Sequence, residues 1–162
     1  MSEAELIQAL SDDEVREIQH EVDHLPDSQS AAIDALLIVQ KHRGWVSDES
    51  LNAIARLLEM SPEALDSIAT FYNLIFRQPV GRHVVMVCDS VSCYVMGADG
   101  LTQRIQEHLG IKLGETTPDD RFTLLPIVCL GACDKAPTML IDQELIEDVS
   151  ADKLDEIFGR FE

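Results

Sequence analysis

Apolar residues recur every three to four positions through the first half of the chain, which is the spacing of amphipathic helices. The first such run follows the residues SDDE, in which Ser11 and Glu14 form the pattern of a capping box. This pattern predicts a helix that begins after Ser11 and continues to about His24, because Pro26 cannot extend it.

Three further helices are predicted from similar signals. Their expected start residues are Ser28 or Ser30, Ser47, and Ser61. Gly44 is expected to end the second helix, and Pro62 occupies the first turn of the fourth, which runs toward Thr70. The expected core-facing positions are Ile33, Leu36, Leu37 and Gln40 in the second helix and Leu51, Ile54, Leu57 and Leu58 in the third. We therefore expect a small helical bundle, with Trp45 and residues 69–76 as further packing residues.

The pattern changes at residues 77–81, where Pro79 and Gly81 interrupt the helical spacing. The segments that follow are predicted strands at residues 83–88 and 122–129, two strands joined at Asp142 and Gln143, and helices at residues 101–110 and after Ser150. The order strand, helix, strand, strand, strand, helix is typical of a small α/β sandwich of thioredoxin type. The sequence therefore predicts an α+β or α/β chain with a helical bundle at residues 1–78 and a thioredoxin-like domain at residues 79–162.

The chain is strongly acidic: 12 Lys and Arg residues stand against 30 Asp and Glu residues, for a formal net charge of −18. Such a surface repels phosphate backbones and anionic lipids and attracts basic protein partners, so we expect no nucleic-acid partner. The first residues lack the basic segment and apolar run of a secretory signal. The longest apolar stretch, residues 122–133, is shorter than the roughly 20 residues that span a bilayer. We expect a cytoplasmic chain with no direct membrane insertion.

The candidate chemistry lies in four cysteines, Cys88, Cys93, Cys129 and Cys133, spaced C-x4-C-x35-C-x3-C. Each pair begins at the end of a predicted strand, so all four thiols meet at one sheet edge if these strands are parallel neighbours. Disulfides belong to oxidising compartments and do not suit a cytoplasmic chain. Dithiol redox sites use the C-x-x-C spacing, which neither pair has.

Two kinds of metal site fit the residues better than a disulfide or a dithiol site. A structural zinc ion would use four thiolates, although zinc ligand pairs are most often separated by two residues. A [2Fe-2S] cluster takes two thiolates on each iron, and a gap of four residues also occurs in plant-type ferredoxins. Leu130, Gly131 and Ala132 are small or apolar, so backbone amides can approach the sulfurs. The pattern favours the cluster, and a zinc-stabilised interaction module is the alternative of another class.

Several segments resemble a known family. Asp119, Phe122 and Thr123 are followed, after five residues, by CLGACDKAP at residues 129–137. The other segments are CDSVSC at 88–93, ATFYNLIF at 69–76, QPVGRH at 78–83 and KHRGWV at 41–46. Together they resemble the thioredoxin-like [2Fe-2S] subunit of NADH:quinone oxidoreductase, which is respiratory complex I. In bacteria this subunit is called the E subunit. The resemblance extends from about residue 15 to the C-terminus.

The resemblance implies that Cys88, Cys93, Cys129 and Cys133 are the ligands of one [2Fe-2S] cluster. In this family the cluster exchanges electrons with FMN in a partner flavin subunit that also binds NADH, next to a neighbouring iron-sulfur subunit. The implied mechanism is electron transfer with no catalytic residue in this chain. The chain would lie peripherally on the cytoplasmic face of the inner membrane, held there by the complex. Similar subunits occur in NAD-linked hydrogenases and formate dehydrogenases, which are the alternative assemblies.

We predict a low reduction potential for such a cluster. Four thiolates give the oxidised cluster a net negative charge, and Asp89, Asp134 and the acidic surface add to it, so an added electron is penalised. A redox titration followed by electron paramagnetic resonance measures the midpoint, and a positive midpoint would contradict this prediction.

Overall fold

The computed structural model describes residues 9–161 and divides into two compact units between Pro79 and Val80. The first unit is a helical bundle. Its elements are α1 (Asp12–Val22), a 3₁₀ turn (Ser28–Ala31), α2 (Ala32–Arg43), α3 (Asp48–Leu57) and α4 (Pro62–Phe71).

The helix starts follow the predicted signals at three of four places. At α1, the Glu14 N–H donates to Ser11 Oγ at 3.2 Å and the Ser11 N–H donates to Glu14 Oε2 at 2.7 Å, so the capping box is confirmed. Ser47 and Ser61 cap α3 and α4 as predicted. At the second place the helical segment begins at Ser28, one of the two predicted residues, as a 3₁₀ turn that leads into α2, but its cap is Asp27, whose side chain accepts from the Ser30 N–H at 2.9 Å.

The buried face of α2 differs from the predicted one. Ala32, Ala35, Leu36 and Val39 are buried, whereas Leu37 is exposed and Ile33 is only partly buried. The prediction is confirmed at Leu36, but two alanines complete the buried face where a search for large apolar residues places Ile33 and Leu37. The expectation that residues 69–76 are packing residues holds for the buried Ala69 and Ile75 and in part for the half-buried Phe76. Within the described chain, Phe71, Tyr72 and Leu74 expose 75%, 42% and 49% of their surface.

One ion pair between a buried carboxylate and an exposed guanidinium joins α1 to α2. Glu14 is 1% exposed, and both of its carboxylate oxygens accept from the Arg43 guanidinium at 2.6 Å. Arg43 also donates to the buried Ser50 hydroxyl at 3.1 Å and to the Ala9 carbonyl at 2.7 Å. Burial raises the pKa of the Glu14 carboxyl, but the Arg43 guanidinium and the Ser11 N–H outweigh it and hold that pKa below its ordinary value of 4.5.

The second unit is a four-stranded sheet with helices packed against it. Its elements are β1 (His83–Cys88), α5 (Val91–Val95), α6 (Ala98–Leu109), β2 (Phe122–Ile127), a 3₁₀ turn (Cys133–Lys135), β3 (Met139–Ile141), β4 (Glu144–Ile146), a 3₁₀ turn (Ala151–Lys153) and α7 (Leu154–Phe158). The strand order is β2-β1-β3-β4. Strands β1 and β2 are parallel, whereas β3 pairs antiparallel with both β1 and β4. The core of this unit includes Val85, Ile105, Leu124, Met139 and Ile141.

The bundle followed by this mixed sheet has the predicted architecture, with two local differences. Residues 89–100, expected as a loop before the helix at 101–110, contain the short helix α5 and the first turn of α6. Strand β2 ends at Ile127, two residues before Cys129, because Val128 is already exposed beyond the sheet edge. Among residues 9–161, no helix combines the length and hydropathy needed to cross a bilayer.

We predict that Glu14→Gln lowers the free energy of unfolding of the bundle by about 1 to 3 kcal/mol at neutral pH, because the two hydrogen bonds from Arg43 lose their charged acceptor. Folding depresses the Glu14 pKa, so its contribution is present above the ordinary value of 4.5 and is lost as pH falls through the folded pKa. The gap between variant and parent should therefore close below pH 4.5. Urea unfolding followed by fluorescence of Trp45, the sole tryptophan, measures it.

Asp13→Asn is the matched control, since Asp13 lies beside Glu14 and its exposed carboxylate pairs with the exposed Arg16. It should change the unfolding midpoint far less than Glu14→Gln. Equal midpoints for Glu14→Gln and the parent, or a gap that does not depend on pH, would contradict the role given to this pair.

Candidate metal centre

The parallel pairing of β1 and β2 brings the two cysteine-bearing loops to one sheet edge. Cys88, the last residue of β1, lies opposite Ile127, the last residue of β2. The Asp89 N–H still donates to the Ile127 carbonyl at 3.0 Å, so the strands separate only beyond this point. Cys129 follows two residues after Ile127. The two strands that precede the cysteine pairs are therefore parallel neighbours, as the sequence analysis required for the thiols to meet.

The first thiol pair is buried. Cys88 and Cys93 are each 2% exposed and pack with Ala98, Ala136 and the partly buried Leu130. Cys93 lies in α5, which turns the chain back toward the end of β1. Sequence reasoning missed this helix, because five residues are too few to show helical periodicity.

The second thiol pair is exposed and close. Cys129 and Cys133 are both exposed, and their Sγ atoms lie 3.3 Å apart. A disulfide requires about 2.0 Å. Two thiolates on one tetrahedral metal ion, with metal–sulfur bonds of about 2.3 Å, lie roughly 3.8 Å apart. The observed distance of 3.3 Å between the two sulfur atoms is nearer to the spacing of two thiolates on one metal ion. Gly131 supports the turn between them: its φ is +87°, and its N–H donates to Cys129 Sγ at 3.4 Å.

Hydrogen bonds cross between the two loops. Burial raises the pKa of the Cys88 thiol, but hydrogen bonds from the backbone of Ser90 and Leu130 and from the side chains of Cys93 and Thr138 outweigh it and lower that pKa. On the second loop, the neighbouring Cys129 thiol raises the pKa of the Cys133 thiol. A hydrogen bond with the Ser92 side chain, which belongs to the first loop, partly offsets this rise. Each loop therefore supplies a hydrogen bond to a sulfur of the other.

Thr138 is a site residue that the sequence analysis did not name. It is 1% exposed, and its Oγ1 lies 3.6 Å from Cys93 Sγ. Its carbonyl accepts from the Cys88 N–H at 3.2 Å. No local signal in the sequence marks it, because its contact with Cys93 arises from the pairing of β3 with β1.

Two histidines of this unit have structural contacts of their own. His83 lies at the start of β1, at the opposite end from Cys88, and pairs with Asp142 at 2.7 Å. His108 lies 3.5 Å from Asp155 and stacks on Phe158. Both side chains therefore make contacts that involve no cysteine.

Two further residues adjoin cysteines in the sequence. Tyr94 follows Cys93, and Asp134 follows Cys133. Both are exposed, so they lie on the outer side of the cysteine loops rather than beside the buried thiols.

The donor set fits a binuclear cluster in its chemistry. Four thiols are present as two pairs, and none is in a disulfide. In the described residues 9–161, no three or more His, Cys, Asp and Glu side chains are grouped so that they could hold a metal ion. The four thiols instead form a buried pair and an exposed pair. A [2Fe-2S] cluster takes its thiolates in pairs, two on each iron.

A small sheet that carries two thiol pairs at one edge defines a ferredoxin-like class of thioredoxin folds. Residues 18–162 match the family model for thioredoxin-like [2Fe-2S] ferredoxins. The E subunit of NADH-quinone oxidoreductase from Pseudomonas aeruginosa is 50% identical over 156 residues, which is 94% of each chain. The corresponding subunit from Escherichia coli K12 is 47% identical over 152 residues, covering 94% of this chain and 92% of the relative.

The chain therefore belongs to the thioredoxin-like [2Fe-2S] ferredoxin family, and the E subunit of NADH-quinone oxidoreductase is similar to it over nearly its whole length. The resemblance inferred from the sequence and the predicted fold class are confirmed. An NAD⁺-reducing [NiFe]-hydrogenase in the H₂-reduced state shares the fold, with a TM-score of 0.65 at 22% identity over 78% of this chain and 22% of the hydrogenase chain.

We predict that Gly131→Ala weakens the site. An added Cβ would meet no atom within 4 Å, but φ of +87° is strained for alanine by about 1 to 2 kcal/mol. Relaxing that strain would move the Gly131 N–H away from Cys129 Sγ. Iron-loaded Gly131→Ala should therefore lose iron to a chelator faster than the parent. Gly100→Ala, which adds the same methyl group within α6 with open space around it, is the control and should lose iron at the parental rate. Equal rates for both variants would contradict the prediction.

Proposed function

We propose that this chain is the electron-transfer subunit of an NADH-quinone oxidoreductase, and that Cys88, Cys93, Cys129 and Cys133 hold its one [2Fe-2S] cluster. The observation that carries the proposal is the convergence of two thiol pairs at one sheet edge, in a chain of this family. The membership in the family supports the kind of cluster, and the full-length similarity to E subunits supports the parent complex.

The residues of this chain would bind the cluster and limit its contact with water. When bound, the cluster supplies a one-electron carrier. Cys88 and Cys93 lie in a dry pocket, with Ala98 and Ala136 packed beside them. The N–H group of Gly131 and the backbone of Ser90 and Leu130 donate toward sulfur. Such hydrogen bonds stabilise negative charge on thiolates and fix the directions of the sulfur atoms. No residue of this chain is required as an acid, base or nucleophile.

The partners follow from the proposed complex. We expect a flavin subunit that holds FMN and oxidises NADH, with a neighbouring iron-sulfur subunit, on the cytoplasmic face of the inner membrane. Exposed apolar side chains flank the cysteine loops, and they are Val91, Tyr94, Val95, Met96 and Val128. Side chains of this kind, exposed together, are typical of protein interfaces. This apolar surface supports docking beside the thiols, where a short distance between redox groups makes electron exchange fast.

Two other assemblies could contain a subunit of this kind. An equivalent subunit of an NAD-linked hydrogenase or formate dehydrogenase would bind the same cluster, and the hydrogenase likeness concerns the fold. Affinity purification of the native protein under mild detergent decides between them. Recovery with a quinone-reducing membrane complex supports the proposal, whereas recovery with a soluble hydrogenase contradicts it.

A zinc-stabilised interaction module would instead yield a colourless protein whose metal cannot be reduced.

We predict that Cys133→Ala loses the cluster while keeping most of the fold, because one iron would lack a thiolate and Cys133 is exposed rather than part of the core. The visible absorption spectrum after anaerobic purification measures cluster content, and far-ultraviolet circular dichroism measures the fold. Asp134→Asn, which changes the adjacent exposed residue, should keep the spectrum. An unchanged visible spectrum in Cys133→Ala would refute the assignment of this ligand.

A further inference from the structure

One buried hydroxyl lies against the buried thiol pair. Thr138 is 1% exposed, and its Oγ1 is 3.6 Å from Cys93 Sγ. The Thr138 carbonyl accepts from the Cys88 N–H at 3.2 Å. The backbone hydrogen bond extends the antiparallel pairing of β1 with β3, in which Val87 lies opposite Met139. The sheet itself therefore fixes the position of this side chain.

The direction of the hydrogen bond follows from ligation. Between a thiol and a hydroxyl, either atom can donate. A cysteine that binds iron is a thiolate and can only accept, so the Thr138 hydroxyl must donate to sulfur in the loaded protein. The proton of this hydroxyl therefore points toward the cluster ligands once the site is loaded.

We propose that Thr138 is a positioning residue that raises the reduction potential of the site, by donating its hydroxyl proton toward the sulfur of Cys93. The inference rests on the proposed function, because it requires a bound cluster. Reduction adds one electron from a one-electron donor such as dithionite, breaks no bond, and leaves the proton on Thr138 Oγ1. The added negative charge spreads to the sulfurs, so the hydroxyl stabilises the reduced form more than the oxidised form.

The burial of Thr138 makes this effect larger than that of a surface hydroxyl. Charge-assisted hydrogen bonds strengthen where water is excluded, and Thr138, Cys88 and Cys93 are all nearly inaccessible. Asp89 and Asp134 act in the opposite sense, but both are exposed and screened by solvent. Thr138 therefore partly offsets the acidic surroundings that favour a low potential.

The test compares Thr138→Val, which removes the hydroxyl at nearly constant shape, with Thr138→Ser, which keeps it. Only the difference between the hydrogen-bond strengths in the reduced and oxidised forms affects the potential, and we expect this difference to change the reduction equilibrium about threefold to tenfold. For a one-electron couple this lowers the midpoint of Thr138→Val by roughly 30 to 60 mV. Thr138→Ser should stay near the parent. Potentials are measured by redox titration of each full-length, iron-loaded protein, with iron and sulfide content determined on the same samples.

Thr116→Val is the matched control. Its hydroxyl bonds Thr123 at 2.7 Å near the start of β2, at the opposite end of that strand from the cysteines, and its removal should leave the potential unchanged. If Thr138→Val takes up no iron, Thr138→Ala replaces it in the same comparison. Equal potentials for the parent and the variant without the hydroxyl, or equal shifts in Thr138→Val and Thr138→Ser, would overturn this inference alone. A parent protein without iron and sulfide would overturn the proposed function together with it.

Discussion

The parallel pairing of β1 with β2 is the constraint on which the site depends. Both strands end at the same edge, so Cys88 and the loop that carries Cys129 begin side by side. An antiparallel arrangement of these six-residue strands would place the two loops at opposite ends of the sheet, about 20 Å apart at roughly 3.3 Å per residue. No cluster of two irons could then bridge them. The strand direction, which is set by the helical crossover through α6, thus decides whether four thiols become one site.

The two thiol pairs experience different environments. Burial of Cys88 disfavours the thiolate, and the hydrogen bonds from Ser90, Leu130, Cys93 and Thr138 more than compensate. Cys129 and Cys133 lie in solvent, where water can stabilise charge and a partner can approach. One side of the site is therefore enclosed by the protein and the other faces outward. This asymmetry suits a redox group that must be protected and yet exchange electrons with another protein.

The sequence reveals the parts of this arrangement that depend on local patterns. The strands at 83–88 and near 122–127, the caps at Ser11, Ser47 and Ser61, and the cysteine spacing could be predicted because each depends on neighbouring residues. Parallel pairing could only be stated as a condition, since strand order does not fix strand direction. Thr138 could not be found in this way, because its role arises from the β1–β3 register rather than from its neighbours in the chain. The exposure of Phe71 and Leu74 was likewise missed, because apolar residues alone do not show whether they face the core or a partner.

The most direct measurement is the iron, acid-labile sulfide and zinc content of anaerobically purified protein, with electron paramagnetic resonance spectra before and after addition of dithionite. We expect two irons and two sulfides per chain and a signal that appears only on reduction, as for one [2Fe-2S] cluster. Zinc without sulfide, found again after iron-sulfur reconstitution, would contradict the assignment of a cluster to these four cysteines.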